Sequence, residues 1–339
     1  MTLRERKQPT LKTISALSGL AVPTVSRALN DAPDIGVETK ERVKRIAREI
    51  GYVPNRAGVR LKTGKTSVIS VILSTEHDMM NHTARLISSV AGGLRDTRYH
   101  LIITPYFPSE DPMKPVRYVV ENGTADAVIL NQIEPEDERI RYLIDRGFPF
   151  ATHGRTRWCE KHHYFDYDNH AFGRLAVARM ARRGRRRVLM ILPPMSQHYA
   201  IHTLAGAREA GAETGTEIVP SEGWTSDSKG EAILEEVARL LAGDAAIDGI
   251  VCSSPTAVIA AVGAIERAGR RLGADIDVTG KQAVRFLDLL RPEIDTASED
   301  AAAAGEFLAR AAIQAIEEPA APPMQKLDVP TEASFSRKI

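Results

Sequence analysis

The chain has only two cysteines in 339 residues, Cys159 and Cys252. That excludes a disulfide framework and a paired CxxC zinc ribbon. No apolar run reaches the roughly 18–20 residues of a membrane-spanning helix, and the opening MTLRERKQPTLK lacks the apolar core of a secretory leader. The expectation is a reduced, cytoplasmic, soluble chain with no membrane partner. Aromatics are scarce at 5%, beside 43% hydrophobic and 26% charged residues. This is a globular composition, long enough for two or three packed units. Net charge is also nearly absent, at +1, so the chain as a whole is neither an acidic tail nor a basic coat.

The near-zero total conceals a split. Residues 1–65 carry 14 Lys and Arg against 6 Asp and Glu, a surplus of +8, and the remainder stands at −7. Such a head is drawn to a polyanion, and the body is not. A solvated basic tail would share the charge but not the apolar periodicity found here. Thr10 is placed to cap LKTISALS, whose Leu11, Ile14, Leu17 and Ser18 share a helical face. Gly19 supplies a tight turn. VPTVSRALN follows with Pro23 in its first turn. It turns Val25, Ala28 and Leu29 inward and leaves Thr24, Ser26, Arg27 and Asn30 polar. A third helix, VETKERVKRIAREI, buries Val43, Ile46, Ala47 and Ile50 and stops at Gly51. Three short helices with a glycine turn between the first two make a helix-turn-helix with a basic outer face, the arrangement of a DNA reader. A purely structural three-helix cap would not need that face.

The stretches TLKTISALSGLAVPTVSRALN and TKERVKRIAREIGYVPNRAGVRL resemble the N-terminal domain of the LacI/GalR family of bacterial repressors. The spacing of TVSRALN and GYVPNR makes the match specific. The resemblance implies that the second helix lies in the major groove, with Val22, Pro23 and Arg27 at base-reading positions. Arg27 has the fork that recognises guanine, worth roughly 1–3 kcal/mol of discrimination. Val22 and Pro23 offer apolar contact. Thr10, Thr24, Ser26 and Asn30 are expected to hold phosphates or helix ends and set register. Tyr52, Asn55 and Arg56 match the entry to the family's hinge helix. Leu61 matches the leucine wedged into the minor groove of a kinked operator. Departures are Ser15 for the usual Ala, Ala21 for the usual capping Ser, and Gly58 for the usual Ala. The last weakens a hinge helix by up to about 1 kcal/mol. Gly64-Lys65-Thr66 imitates the end of a phosphate-binding loop, but the required first glycine is Val59.

From Ser67 onward, apolar runs (VISVIL, HLIIT, DAVIL, PFATH, then RVLMIL, EIV, DGIVC, DIDVTG) alternate with helical stretches. That implies parallel sheets with helices on both faces, in two doubly wound lobes. The order resembles the same family's type I periplasmic binding protein-like core. The expected fold is therefore an all-α helix-turn-helix headpiece plus an α/β core of two lobes. Residues 1–54 are read as the DNA-binding domain, 55–66 as hinge helix and linker, and 67–339 as the effector-binding and dimerisation core. Three crossings between lobes fall near 165, 295 and 325. The first lobe is then about 67–164 plus 296–324, and the second about 165–295 plus 325–339.

Ligands in such sheets lie beyond the C-terminal strand ends. Those ends offer Ser74, Asn131, Gln132, His153, Gly154, Arg155, His198, Tyr199, Thr203, Trp224, Ser253, Ser254 and Gln282. This is a neutral set rich in donors and acceptors, suited to a sugar, with Trp224 as stacking platform or, in the competing reading, as a core residue. Where many members carry an Arg, an Asp or an Asn-Asp pair, this chain has Gly154, Thr203, Ser254-Pro255 and Gln282. HGRT followed by FDYDN resembles repressors of α-glucoside utilisation in alphaproteobacteria, so a disaccharide such as sucrose is the expected effector. Asp168-Asn169 reads as a helix cap, and the arginine-rich run 182–187 as a solvated helix end. Cys159, His162 and His163 lack the pattern of a metal site, and neither metal nor cofactor is expected. No nucleophile elbow or HExxH appears, so no enzyme is expected. The reading is a dimeric repressor on palindromic operator DNA, controlled by a sugar. The alternative is a cytoplasmic sugar-binding protein or a sugar-modifying enzyme such as a kinase, against which the basic head and the broken phosphate loop both argue.

Overall fold

The computed structural model describes residues 9–53, 60, 64–74, 82–107 and 109–337. The chain divides into two compact units, Met1–Thr66 and Ser67–Ile339. In the first, α1 (Leu11–Ser18), α2 (Val22–Leu29) and α3 (Val37–Glu49) enclose Ile14, Val25, Ala28, Val43 and Ala47. Leu17, expected inside, is 56% exposed. Ser18, four residues on from Ile14, takes the inward position, and its hydroxyl accepts the Leu20 amide at 3.3 Å. At the end of α3, Gly51 has φ +66°. The Tyr52 amide donates to the Ala47 carbonyl at 2.8 Å, closing the helix as the glycine stop predicts.

The second unit holds two sheets in which every pairing is parallel. The first contains β1 (Val68–Ser74), β2 (His100–Tyr106), β3 (Ala127–Leu130), β4 (Phe150–His153), β5 (His163–Tyr167) and β11 (Gln325–Asp328), in the order β11-β5-β4-β3-β1-β2. The second contains β6 (Arg187–Ile191), β7 (Glu217–Pro220), β8 (Gly249–Cys252), β9 (Asp277–Gln282) and β10 (Asp295–Ser298), in the order β10-β9-β8-β6-β7. Central strands β1, β3, β8 and β9 are buried along their whole length, as layered helices on both faces require. Those helices are α4 (Ala84–Gly93), α5 (Met113–Asn122), α6 (Glu138–Arg146) and α12 (Ala301–Glu317) in the first lobe. In the second they are α7 (Asn169–Arg182), α8 (His198–Thr214), α9 (Gly230–Gly243), α10 (Pro255–Arg267) and the short α11 (Leu287–Leu290). Asp168 caps α7 by accepting the Ala171 amide at 3.0 Å.

All three lobe crossings shift by a few residues: β5, expected to break at 165, lies wholly in the first sheet. β11, assigned to the second lobe, pairs with β5 of the first, Gln325 opposite Tyr164. β10 belongs wholly to the second sheet, so that crossing falls after Ser298 rather than before Thr296. Both are four-residue edge strands, and their few residues give no clear apolar pattern. The arginine run is also not simply solvated. Arg179, just before it, is 1% exposed and donates from Nε to Asp295 at 2.8 Å. Arg183 reaches Asp295 at 3.2 Å, Arg185 reaches Asp277 at 2.7 Å, and Arg187 reaches Asp244 at 2.6 Å. Buried carboxylates at the strand starts of β9 and β10 require these partners.

Candidate functional site

On the first unit, the α2 residues Pro23, Arg27 and Asn30 are exposed, as is Thr10, while Val22, Thr24 and Ser26 are half-buried. Ala21 supplies no side-chain acceptor to the first turn of α2, leaving that end of the helix for an anion such as a phosphate. Asn30 folds back, donating from Nδ2 to the Ser26 carbonyl at 2.7 Å. Arg27 forms an ion pair with Asp34. Tyr52 packs against the headpiece core, and burial raises its phenol above the usual range. Asn55, Arg56 and Leu61 lie outside the described residues.

In the second unit a cleft opens between the two lobes, at the C-terminal strand ends. It collects Asn131, Gln132, His153, Gly154, Arg155, His198, Tyr199, Ser253, Ser254 and Gln282 from the expected set. Three expected residues do not line it. Ser74 is buried at the end of β1. Thr203 is fully buried on α8, donating to the Tyr199 carbonyl at 2.8 Å. Trp224 packs on the apolar core of the second lobe instead of forming a platform. It follows β7, the edge strand of its sheet, and the loop then doubles back until the Ser226 amide meets the Leu192 carbonyl at 2.7 Å. Ser226 and Asp227 therefore reach the cleft, and Trp224 does not.

Two of the lining residues act as scaffold. Gln282 donates to Asp288 at 2.6 Å and to Thr296 at 2.7 Å, and accepts the Phe286 and Leu287 amides at 3.2 Å. Its amide is spent holding the loop before α11. Ser254 caps α10 through the Ala257 amide at 3.2 Å and donates to the Ser226 carbonyl at 3.0 Å.

The cleft is not the neutral set expected. Lys281 and Glu299 line it, together with His82, Asp166, Tyr167 and Asn169. Nζ of Lys281 donates to Asn169 Oδ1 at 2.8 Å, lies 3.4 Å from Glu299 Oε2, and sits over the Tyr167 ring at 5.2 Å. His82 Nε2 is 3.1 Å from Glu299 Oε1. Burial alone would raise the Glu299 carboxyl, but Lys281 and His82 hold it well below the usual range. Arg155 Nε lies 2.6 Å from Asp166, whose carboxyl burial nevertheless pushes up to about 6. Burial, with His202 and Arg155 nearby, lowers His198 to about 4. Lys281 was adjacent to an expected residue, and the end of β9 marked it. Glu299 follows a strand too short to recognise. Three buried polar atoms at the cleft, Asn131 Oδ1, Tyr167 Oη and Ser253 Oγ, have no hydrogen-bond partner among the described residues. Groups of this kind call for water or ligand hydroxyls and amides.

Residues 10–55 match the model for bacterial regulatory proteins of the lacI family, and residues 177–335 match a periplasmic binding protein-like domain. The HTH-type transcriptional regulator AglR of Rhizobium meliloti is 31% identical over 314 residues, covering 90% of this chain and 87% of that protein. The regulator CelR of Thermobifida fusca is 27% identical over 323 residues, covering 93% and 94%. Among solved structures, a CelR–cellobiose complex superposes with TM-score 0.69 at 23% identity, covering 96% of this chain and 98% of that one. The lac repressor dimer bound to operator and the anti-inducer ONPF gives 0.81 at 18% identity, covering 98% of each chain. At these identities the two structures establish the fold.

Proposed function

The chain belongs to the LacI family of bacterial regulatory proteins, and from that premise we propose that it is a transcriptional repressor whose operator affinity is set by a neutral sugar in the interlobe cleft. The observation that carries the sugar is the trio of buried, partnerless polar atoms on Asn131, Tyr167 and Ser253 beside the paired charges of Lys281 and Glu299. A sugar's hydroxyls both donate and accept, which is what such atoms call for. The lining carboxylates Asp166, Asp227 and Glu299 outnumber its permanent cations, Arg155 and Lys281, which disfavours an anionic ligand. A disaccharide such as sucrose is the candidate we favour, since the related CelR was solved with cellobiose.

In this reading two copies place their α2 helices on a palindrome in the cytoplasm. The apolar edge strand β2, with Ile102 48% and Ile103 45% exposed, supports pairing between copies. Sugar binding biases the lobes between two closures and so changes DNA affinity. A thermal-shift screen of neutral mono- and disaccharides tests this. The expected result is one sugar class that stabilises the core and changes the affinity of a palindromic duplex in fluorescence anisotropy. A sugar that binds but leaves DNA affinity untouched would refute control by that ligand, and absence of any sugar hit would refute the ligand class.

A further inference from the structure

We propose that His82, His153 and Glu299 form a binding site for a divalent transition-metal ion. The three come from separate segments: His82 precedes α4, His153 ends β4, and Glu299 lies between β10 and α12. Their ligand atoms all lie within 4.8 Å of one another, and no other group of three His, Cys, Asp or Glu residues meets that spacing among the described residues. His82 Nε2 is already 3.1 Å from Glu299 Oε1. The rings of His82 and His153 have centroids 5.0 Å apart, tilted by 58°, so their edges can converge on one point. Metal–ligand bonds of about 2.0–2.2 Å would need side-chain movements on the order of 1 Å to close the set.

The donor chemistry selects the ion. Two imidazoles and one carboxylate suit zinc, cobalt, nickel or iron(II), whereas calcium and magnesium prefer oxygen throughout. The supporting contacts match a built site. Lys281 sits 3.4 Å from Oε2 of Glu299 and leaves Oε1 to His82. The His153 ring lies parallel to Phe165, with centroids 6.1 Å apart and an 11° tilt, which fixes its plane. The Lys281 ammonium opposes a second cation, so binding is expected to be weaker than at a structural zinc site. With three protein ligands at the edge of the cleft, further coordination positions face water or a bound ligand. The ion would tie two residues of the first lobe to the segment on which the chain crosses from the second, favouring one closure.

The test uses the full chain, stripped with EDTA and dialysed. Zinc is titrated by calorimetry, and cobalt(II) by its visible d–d absorption. One equivalent should bind, and binding should weaken in acid, because a protonated imidazole cannot ligate a metal. His153→Gln and Glu299→Gln should each weaken binding by about tenfold or more, with metal-free thermal midpoints reporting whether each variant is folded. Should either fail to fold, His82→Gln, at the edge of α4, carries the same test. The control is His202→Gln, since the His198 and His202 rings lie only 4.1 Å apart. No saturable binding, or binding that survives all three ligand substitutions or is lost only in the control, overturns the proposal. The inference does not rest on the sugar reading. The metal titration is run without sugar and the sugar screen in EDTA on the parent chain, so either reading can fail without the other.

Discussion

Arg27 is the residue we propose reads bases on α2, and its exposed fork pairs with Asp34. Replacing it with Ala should cost roughly 1–3 kcal/mol per half-site, about 5- to 150-fold in operator preference, while salt-sensitive general DNA binding persists. Anisotropy with operator and scrambled duplexes measures the ratio, and an unchanged ratio would show that α2 is not the reading helix. Side chains 55% and 46% exposed make the Arg27–Asp34 pair weak, so surrendering it to guanine costs little. Lys281 is a different case, because the pair it forms with Glu299 is nearly buried, at 9% and 11% exposed. Lys281→Met should destabilise the core by about 3 kcal/mol, by leaving a buried carboxylate short of a partner. The double variant Lys281→Met/Glu299→Leu should recover most of that in urea denaturation, and no recovery would mean the pair is not coupled. The two residues also mark what the sequence discloses. Arg27 sits in a motif of fixed spacing on one local helix, so a role can be proposed for it from the sequence. Lys281 and Glu299 are 18 positions apart on different strand ends, and only the order of the second sheet brings them together. Trp224 fails for the same reason in reverse, since an edge strand carries its aromatic away from the crevice.

At the scale of elements, eight strands announce themselves as apolar runs, and β5, β10 and β11 do not. HYFDY, DTAS and QKLD are short and carry acidic residues, and their place in the sheets is set by neighbours rather than by their own pattern. Close helix contact is likewise invisible to periodicity. α7 and α8 approach so closely that a Cβ on Gly173 would lie 2.1 Å from the Thr203 carbonyl oxygen, and one on Gly206 would lie 2.0 Å from the His170 carbonyl oxygen. No side-chain rotation relieves a clash with backbone, so the helices must separate. Gly206→Ala should therefore lose at least about 2–3 kcal/mol, although alanine ordinarily favours a helix over glycine by about 1 kcal/mol. A urea midpoint equal to or above the parent's would show that the pair has room to give.

The two lobes meet in part through α8, whose first residue, His198, donates its amide to the Ile133 carbonyl of the first lobe at 2.9 Å. Its imidazole is lowered to about 4 by burial, with His202 and Arg155 adding to the effect. The folded protein therefore holds the ring neutral where the unfolded chain, near 6.5, takes up a proton. Stability from this residue is whole above about pH 6.5 and is lost as pH falls toward 4. Asp166, raised to about 6, acts with the opposite sign over about pH 6 to 4, so the net slope is shallow and only a variant isolates His198. His198→Gln should remove on the order of 1 kcal/mol of acid sensitivity, a figure reduced for the ring's partial exposure. Identical pH profiles would show that the His198 ring does not carry the acid sensitivity. Charge is divided on the largest scale too, +8 before residue 66 and −7 after it. A phosphate backbone attracts the first unit and repels the second, so DNA affinity should rest on the head and fall steeply with salt. Six phosphate contacts shared by two heads predict a loss of roughly 10³-fold between 50 and 200 mM. Arg27→Ala, which removes a base contact and one charge per head, should flatten that slope by at most about 2 and leave the rest. Anisotropy titrations across that range decide it. An affinity indifferent to salt would mean that the basic surplus does not touch phosphate, and the headpiece would then need another partner.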